Sequence, residues 1–277
     1  MDDKLFNSFS KLVHQLTGIT IDPSRRSMLD SRLGSRMRQT GIADYEAYYK
    51  LVLGDEKERR FFIDKITTHE TSFFRTARVW EYLENCFIPE WLATHPDDTC
   101  KFWSAACSTG EEAYSLAITM EEVVKENPSF RYTIDATDIS ECSVNRCREG
   151  LYKQRAVKHF SQNQPVLFSN YIDASGKDYQ VSRLLRSKVN FSAHNLFKPL
   201  SNSVSYDLVL LRNVLIYFSV DDQKRVLANL RNSMREGSVL IIGESESIGN
   251  LDCGFEGVQA LVYSNSCTPA RLVAANG

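Results

Sequence analysis

The amino-acid sequence predicts an α/β protein: a doubly wound parallel sheet, preceded by an all-helical region and carrying a small antiparallel β-subdomain as an insertion. Three observations carry this expectation. Residues 1 to about 76 read as helix throughout. From Lys101 onward, short apolar runs alternate with helical stripes, the pattern of crossover units and a parallel sheet. Residues 155 to 190 break that alternation with Tyr171-Ile-Asp, a Ser175-Gly176-Lys177 turn and Tyr179-Gln-Val, which read as short antiparallel strands. The domains expected are 1–76, a linker over 77–99, and 100–277.

The totals bound the function. A chain of 277 residues makes one large or two modest domains. A net charge of −2 gives no global attraction to nucleic acid or an anionic membrane, so charge recognition must come from a local patch. Met-Asp-Asp-Lys-Leu-Phe lacks a basic start and an apolar signal core, and no apolar run reaches membrane-spanning length. A cytoplasmic protein without direct membrane insertion is expected. The seven cysteines are odd in number with no Cys-x-x-Cys, and the five histidines are scattered, so free thiols and no metal site are expected.

In the helical region, Leu5, Phe6, Phe9, Leu12, Val13 and Leu16 form a stripe that Gly18 ends. Asp22 caps a second helix, Pro23 takes its first position, and the helix extends to about Gln39. Arg25, Arg32 and Arg36 fall within roughly 40° of one another on this helix, bordering Leu29, Leu33 and Met37. They form either a solvated face or a docking face for an acidic partner, because each guanidinium can fork onto a carboxylate. Asp44 caps a third helix, and a fourth covers about Lys57 to Thr67. Ile66 to Arg75 is polar and hydroxyl-rich, but Phe73 and Phe74 require burial, so the segment is expected to pack across a domain junction. Arg75 then points into a cleft or closes an inter-domain salt bridge. A linker helix from about Arg78 to Leu92 leads to a boundary turn at Pro96-Asp97-Asp98.

The stretch from Lys101 to Met120 organises the rest. Phe102 to Cys107 reads as a buried strand, Ser108-Thr109-Gly110-Glu111 as a tight turn, and Glu112 to Val124 as a helix. Gly110 lets backbone approach a ligand. A phosphate cradle would want Gly-rich donors and a Lys, whereas this turn supplies Glu111 and Glu112 and so favours a cationic guest. S-adenosylmethionine, with an ammonium, a sulfonium and no phosphate, fits; the plain alternative is solvated acids at a helix N-terminus. The second strand, Tyr132 to Thr137, ends at Asp138, which is placed to accept hydrogen bonds from a ribose diol or to cap a helix starting near Ser140. The third strand, Val189 to Ala193, leads to Asn195 and Leu196, and the fourth, Tyr206 to Leu211, leads to Arg212, Asn213 and Tyr217. Gly110, Asp138, Asn195 and Asn213 thus sit at carboxyl ends of strands, where an open sheet binds its ligand. A helix from Asp221 to Glu236 ends at Gly237, and Ser238 to Gly243 is a fifth strand. Val258–Tyr263 and Ala270–Val273 read as a closing hairpin.

Thr67-Thr-His-Glu-Thr-Ser-Phe-Phe-Arg75, Trp103-Ser-Ala-Ala-Cys-Ser-Thr-Gly-Glu-Glu112, Ala136-Thr-Asp-Ile139, Asn195-Leu196 and Arg212-Asn-Val-Leu-Ile-Tyr-Phe218 occur in an order that covers nearly the whole chain. With these motifs the sequence resembles the CheR family, the chemoreceptor glutamate methyltransferases. The resemblance implies a Rossmann-like methyltransferase sheet with S-adenosylmethionine as donor and S-adenosylhomocysteine as product. The substrate it implies is the glutamate side chains on the cytoplasmic domain of chemotaxis receptors. It implies cofactor contacts at His69, Thr71, Arg75, Glu112, Asp138, Asn195, Leu196, Arg212 and Asn213; at position 69 the family often has Asn. The helix bearing Arg25, Arg32 and Arg36 corresponds to the family's receptor-facing surface. In some members the β-subdomain also holds a receptor's C-terminal peptide.

A glutamate side chain is already ionised at neutral pH, so its methylation needs alignment and desolvation in place of a general base. Arg75 and Tyr217 are the candidates to orient it. Two other readings stand beside this one. Asn213-Val-Leu-Ile-Tyr217 is loosely similar to the base pocket of nucleic-acid methyltransferases, but such an enzyme needs a broad basic surface that the charge does not supply. A non-catalytic cofactor-sensing or receptor-docking module would keep the fold without turnover.

Overall fold

A computed structural model of the protein describes residues 1–201 and 204–266. Four helices come first: α1 (Asp3–Thr17), α2 (Arg26–Thr40), α3 (Tyr45–Gly54) and α4 (Glu56–Ile66). They enclose a core that includes Phe9, Leu29, Leu33, Tyr48 and Phe62. Asp2, Asp44 and Asp55 open three of them by accepting first-turn backbone N–H groups. Asp22 caps a short 3-10 turn, Pro23–Arg25, that runs into α2.

Of the three arginines of the expected docking face, Arg32 and Arg36, both on α2, are committed inside the protein. Arg36 forks onto Glu58 at 2.9 and 2.6 Å, and the Tyr48 hydroxyl donates to the same carboxylate at 2.8 Å. Burial and that carboxylate push the Tyr48 phenol well up. Arg32 donates to the Ile66 and Thr67 carbonyls at 2.5 and 3.1 Å, closing the open end of α4. Arg25 alone remains exposed, with its guanidinium 5.9 Å over the Tyr217 ring. The free three-arginine face therefore reduces to one residue.

The linker is α5 (Ala77–Tyr82), a π-helical turn (Leu83–Phe87) and α6 (Ile88–Thr94) where one helix was expected. Pro89 has no N–H to return to Asn85, and the preceding bond runs from the Ile88 N–H to the Leu83 carbonyl instead.

The second half runs β1 (Thr99–Ala105), α7 (Glu111–Glu126), β2 (Arg131–Asp138), α8 (Glu141–Glu149), β3 (Leu151–Lys153), α9 (Gln154–Asn163) and α10 (Pro165–Tyr171). Then come β4 (Ile172–Ser175), β5 (Asp178–Val181), α11 (Arg183–Lys188), β6 (Val189–Ala193), β7 (Tyr206–Leu211), α12 (Val220–Arg231), β8 (Met234–Ile242), β9 (Phe255–Gln259) and β10 (Val262–Asn265). The main sheet has the order β6-β2-β1-β7-β8-β10-β9. Its first five strands are parallel and the terminal hairpin is antiparallel. The chain reverses its direction of winding between β1 and β7, the switch point where wound sheets open a ligand crevice. Register sets Ala105 beside Thr137 and Leu211, so the residues that follow all three strands emerge together.

Three local expectations change. The insertion is a three-stranded sheet, β3-β5-β4, that begins at Leu151, and α9 and α10 occupy much of the interval read as strands; Val157 and Phe160 supply their buried face. The helix expected to reach Glu236 stops at Arg231. Met234 is drawn into β8 opposite Tyr206, and the chain bulges at Gly237, φ 75°, before pairing resumes at Val239 and Leu208. Val258–Tyr263 holds both arms of a hairpin, and Ala270–Val273 lies outside the described residues. Among the described residues the cysteines are free, no cluster could hold a metal, and no helix is long and apolar enough to cross a membrane.

Replacing Arg36 with Ala strands Glu58, which is 5% exposed. The expected cost is about 3–5 kcal/mol, read as a lowered urea midpoint; a solvated docking arginine would shift stability by only ~0.5 kcal/mol.

Candidate active site

A pocket opens at the carboxyl ends of β1, β2, β6 and β7. His69, Thr71, Arg75, Glu112, Asp138, Asn195, Leu196, Arg212, Asn213 and Tyr217 line it. Gly110 does not. It is the N-cap of α7 at φ 97°, and a Cβ there would lie 3.0 Å from Cys147 Sγ and from the Tyr152 hydroxyl. Its bare Cα serves helix-to-subdomain packing, so the expectation that it faces the ligand is corrected. The backbone that does face the pocket includes Ala106 and Ser108, held at φ 68° and 52°. Left-handed non-glycine residues of this kind mark functional turns, and their sequence gives no sign of it.

The two acids of the turn behave differently from the expectation. Glu111 turns away, accepts from the Thr109 hydroxyl at 2.7 Å and does not line the pocket. Burial pushes its carboxyl up. Glu112 lines the pocket but is matched: Arg212 Nη1 donates to Oε2 at 2.9 Å and the Ser104 hydroxyl to Oε1 at 2.8 Å. Arg212 is 6% exposed and spends Nη2 on the Arg75 carbonyl at 2.9 Å. Its Nε, like Ser108 Oγ, is buried without a hydrogen-bond partner among the described residues. Both orphans lie on residues of the pocket wall.

Asp138 and Glu70 both line the pocket without an ion pair among the described residues; Glu70 is exposed, and Asp138 is buried. The two Asp138 oxygens accept the Ser108 and Ser140 backbone N–H groups at 2.8 and 2.9 Å. Ser140, not Asp138, caps the following helix through its own hydroxyl. Burial raises the Asp138 carboxyl above the ordinary range, opposed by the Ser140 N–H and by nearby His69.

Two expected contacts spend their polar atoms within the protein. His69 places Nδ1 3.1 Å from the Ser143 hydroxyl and Nε2 3.0 Å from the Thr67 hydroxyl, so its ring braces the loop that walls the pocket. Asn195 donates to the Leu16 carbonyl at 2.9 Å and accepts the Phe197 N–H at 3.0 Å, tying α1 to the end of β6. Arg75 is different. It donates to the Glu70 carbonyl at 3.3 Å and pairs with no carboxylate among the described residues. Phe73 and Phe74, the aromatic pair before it, pack on Phe160 at centroid distances of 5.4 and 4.9 Å, which anchors the loop from the subdomain side. Tyr217 receives the Thr20 N–H on its carbonyl at 2.9 Å. Thr17 and Ile19 complete the wall from the helical region, and nothing in their residue types announces it.

This donor and acceptor set suits an adenosylated cation. An acid stands at the end of β2, orphaned donors stand at the β1 and β7 turns, and no lysine lines the pocket. The family model for the CheR methyltransferase, SAM binding domain, matches residues 69–263, and that for the CheR methyltransferase, all-alpha domain, matches residues 4–67. Among known proteins, the chain is 30% identical over 261 residues to a chemotaxis protein methyltransferase of Pseudomonas putida, covering 92% of this chain and 94% of that one. It is 31% identical over 266 residues to that of Vibrio anguillarum, covering 94% of each. To that of Escherichia coli it is 29% identical over 272 residues, covering 96% of this chain and 92% of that one. S-adenosylmethionine is the cofactor.

A ribose diol donates its strong, charge-assisted hydrogen bonds to an ionised carboxylate, whereas the protonated acid accepts more weakly and turns an O–H toward the diol. Because the Asp138 carboxyl is raised, its charge is lost at a higher pH than the ordinary ~3.9. Titration calorimetry with S-adenosylhomocysteine should give a constant affinity at neutral pH and up to about a tenfold loss per unit below the raised value. Asp138→Asn should bind weakly with that slope abolished.

Proposed function

The chain belongs to the CheR methyltransferase family, and from that premise we propose that it esterifies glutamate side chains on the cytoplasmic domain of a chemotaxis receptor. Arg75 is the observation that carries the acceptor's chemistry. Arg75 lines the pocket, spends one contact on a carbonyl and has no carboxylate partner among the described residues. Five N–H donors in a fixed fork match a carboxylate guest.

When bound, the cofactor supplies an electrophilic methyl group on a sulfonium; the carboxylate oxygen gains the C–O bond as the C–S bond breaks, and the electron pair goes to sulfur. No proton moves, because the acceptor is already an anion. The residues of this chain therefore need only bind, align and keep water out. Asp138 and Glu112 fix the donor's side of the pocket, the latter held by Arg212. Arg75 orients the carboxylate and Tyr217 closes the pocket beside it, so that the two reactants meet in line. Removing water favours a transition state in which both charges are fading. The exposed Arg25, stacked on Tyr217, puts a cation at the rim next to this mouth, where an acidic segment of the receptor would dock.

Incubation with methyl-labelled S-adenosylmethionine and receptor-bearing membranes should place alkali-labile label on the receptor. Label on nucleic acid, or cofactor binding without transfer, would refute the proposal. The rate should stay level between about pH 6 and 8, the range over which an ordinary Glu is charged. Arg75→Ala should lower kcat/KM for the receptor ~100-fold, the scale set by loss of one charged contact. A comparable loss of S-adenosylhomocysteine affinity would instead assign Arg75 to the donor's own carboxylate.

A further inference from the structure

Three pocket residues, Arg212, Asn213 and Tyr217, stand on one irregular segment after β7. Asn213 lies in the left-handed region at φ 59°, and the only regular structure that follows before Ser219 is a single 3-10 turn, Leu215–Tyr217. A backbone of this shape does not satisfy its own N–H groups and must be held from outside. The group that holds it is the side chain of Glu246, on the loop after β8. Oε2 accepts the N–H of Asn213 at 2.9 Å and of Gly243 at 2.6 Å. Oε1 accepts the N–H of Leu215 at 2.7 Å.

The carboxylate is buried, at 9% exposure, and the arrangement has no slack. A Cβ on Gly243 would come within 2.7 Å of both Asn213 N and Glu246 Oε2. Sequence offers only the string Gly243-Glu-Ser-Glu246, in which either acid could as well be solvated; Glu244 is, reaching Arg78 and Thr76 at the surface.

We propose that Glu246 is a positioning residue of the methyltransferase: by gathering three main-chain N–H groups onto one buried carboxylate, it sets the pose of Arg212, Asn213 and Tyr217 and so the affinity of the pocket for S-adenosylmethionine. A glutamine in its place offers one accepting oxygen and turns an NH₂ group toward backbone donors, so at least one charge-assisted bond is lost and a donor faces a donor. Asn213 is then free to leave its left-handed conformation, and Arg212 to lose its aim. The inference rests on the cofactor pocket and is independent of which protein accepts the methyl group.

Calorimetric titration of the full chain with S-adenosylhomocysteine reads stoichiometry and Kd together, which separates positioning from folding. Glu246→Gln should keep about one site per chain and raise Kd about 10- to 100-fold, the span of one or two charge-assisted hydrogen bonds. An unchanged Kd, with or without a loss of competent sites, would mean that the carboxylate only supports the fold and would overturn the proposal. Should that variant not fold, Glu246→Asp, which keeps the charge but withdraws it by one methylene, is read on the same two numbers.

Discussion

The pair between Glu112 and Arg212 is the constraint on which the site depends. Each ion has been taken out of water, at a penalty of several kcal/mol, and neither can be solvated again without opening the junction of β1, α7 and β7. Their 2.9 Å contact therefore fixes where the first helix of the wound sheet begins relative to the turn after the fourth parallel strand in sequence. Arg212 then extends the constraint, because its second nitrogen holds the Arg75 carbonyl. One guanidinium thus links the helix that starts the cofactor site, the segment that closes it and the loop that arrives from the helical domain.

Around this centre the two domains are stitched by contacts, two of which, at Asn195 and Tyr217, end on the pocket wall. The Asn195 amide reaches the Leu16 carbonyl, the Tyr217 carbonyl takes the Thr20 N–H, and His14 meets Asp222 at 2.9 Å. On the other side Asp64 accepts the Ser140 hydroxyl at 2.7 Å, and Arg60 pairs with Glu141 at 2.8 Å. Ser140 caps the helix after β2, so the position of Asp138 depends on the fourth helix of the N-terminal domain as well as on its own strand. Arg32 acts within the helical domain: by closing α4 on its terminal carbonyls it shapes the entrance to the Thr67–Arg75 loop.

Much of the fold was legible because period and punctuation agree. The bounds of β6 and β7 follow directly from apolar runs closed by polar residues, and Asp44 sits where a helix start requires it. The hidden parts share one physical cause: they depend on what the chain meets in three dimensions. Gly237 looks like a helix stop, but Tyr206 captures Met234 into the sheet first. Arg36 looks like a free cation until Glu58, 22 positions away, is folded beneath it. Glu111 and Glu112 are adjacent and alike in sequence, yet helical geometry turns one toward Thr109 and the other toward Arg212, so neither is left bare for a cationic guest. Asp138 and Glu70 are the acids that remain for it.

That change has a chemical consequence for the proposed acceptor. A pocket in which Glu111 and Glu112 were both bare would repel a further carboxylate, whereas here Glu112 is neutralised and Glu111 is withdrawn. The charge left to meet an incoming carboxylate is that of Arg75, less the fields of Asp138 and Glu70. Such a balance attracts the anion without gripping it, because Arg75 keeps a share of its hydrogen bonding on a neutral carbonyl. A tighter pair would stabilise the ionised acceptor more than the transition state, in which its charge is already fading, and would slow transfer. The division of labour follows from that requirement. The arginines that hold structure, Arg36 and Arg212, are each paired with a carboxylate of the chain, while the one proposed to handle substrate has no carboxylate partner among the described residues.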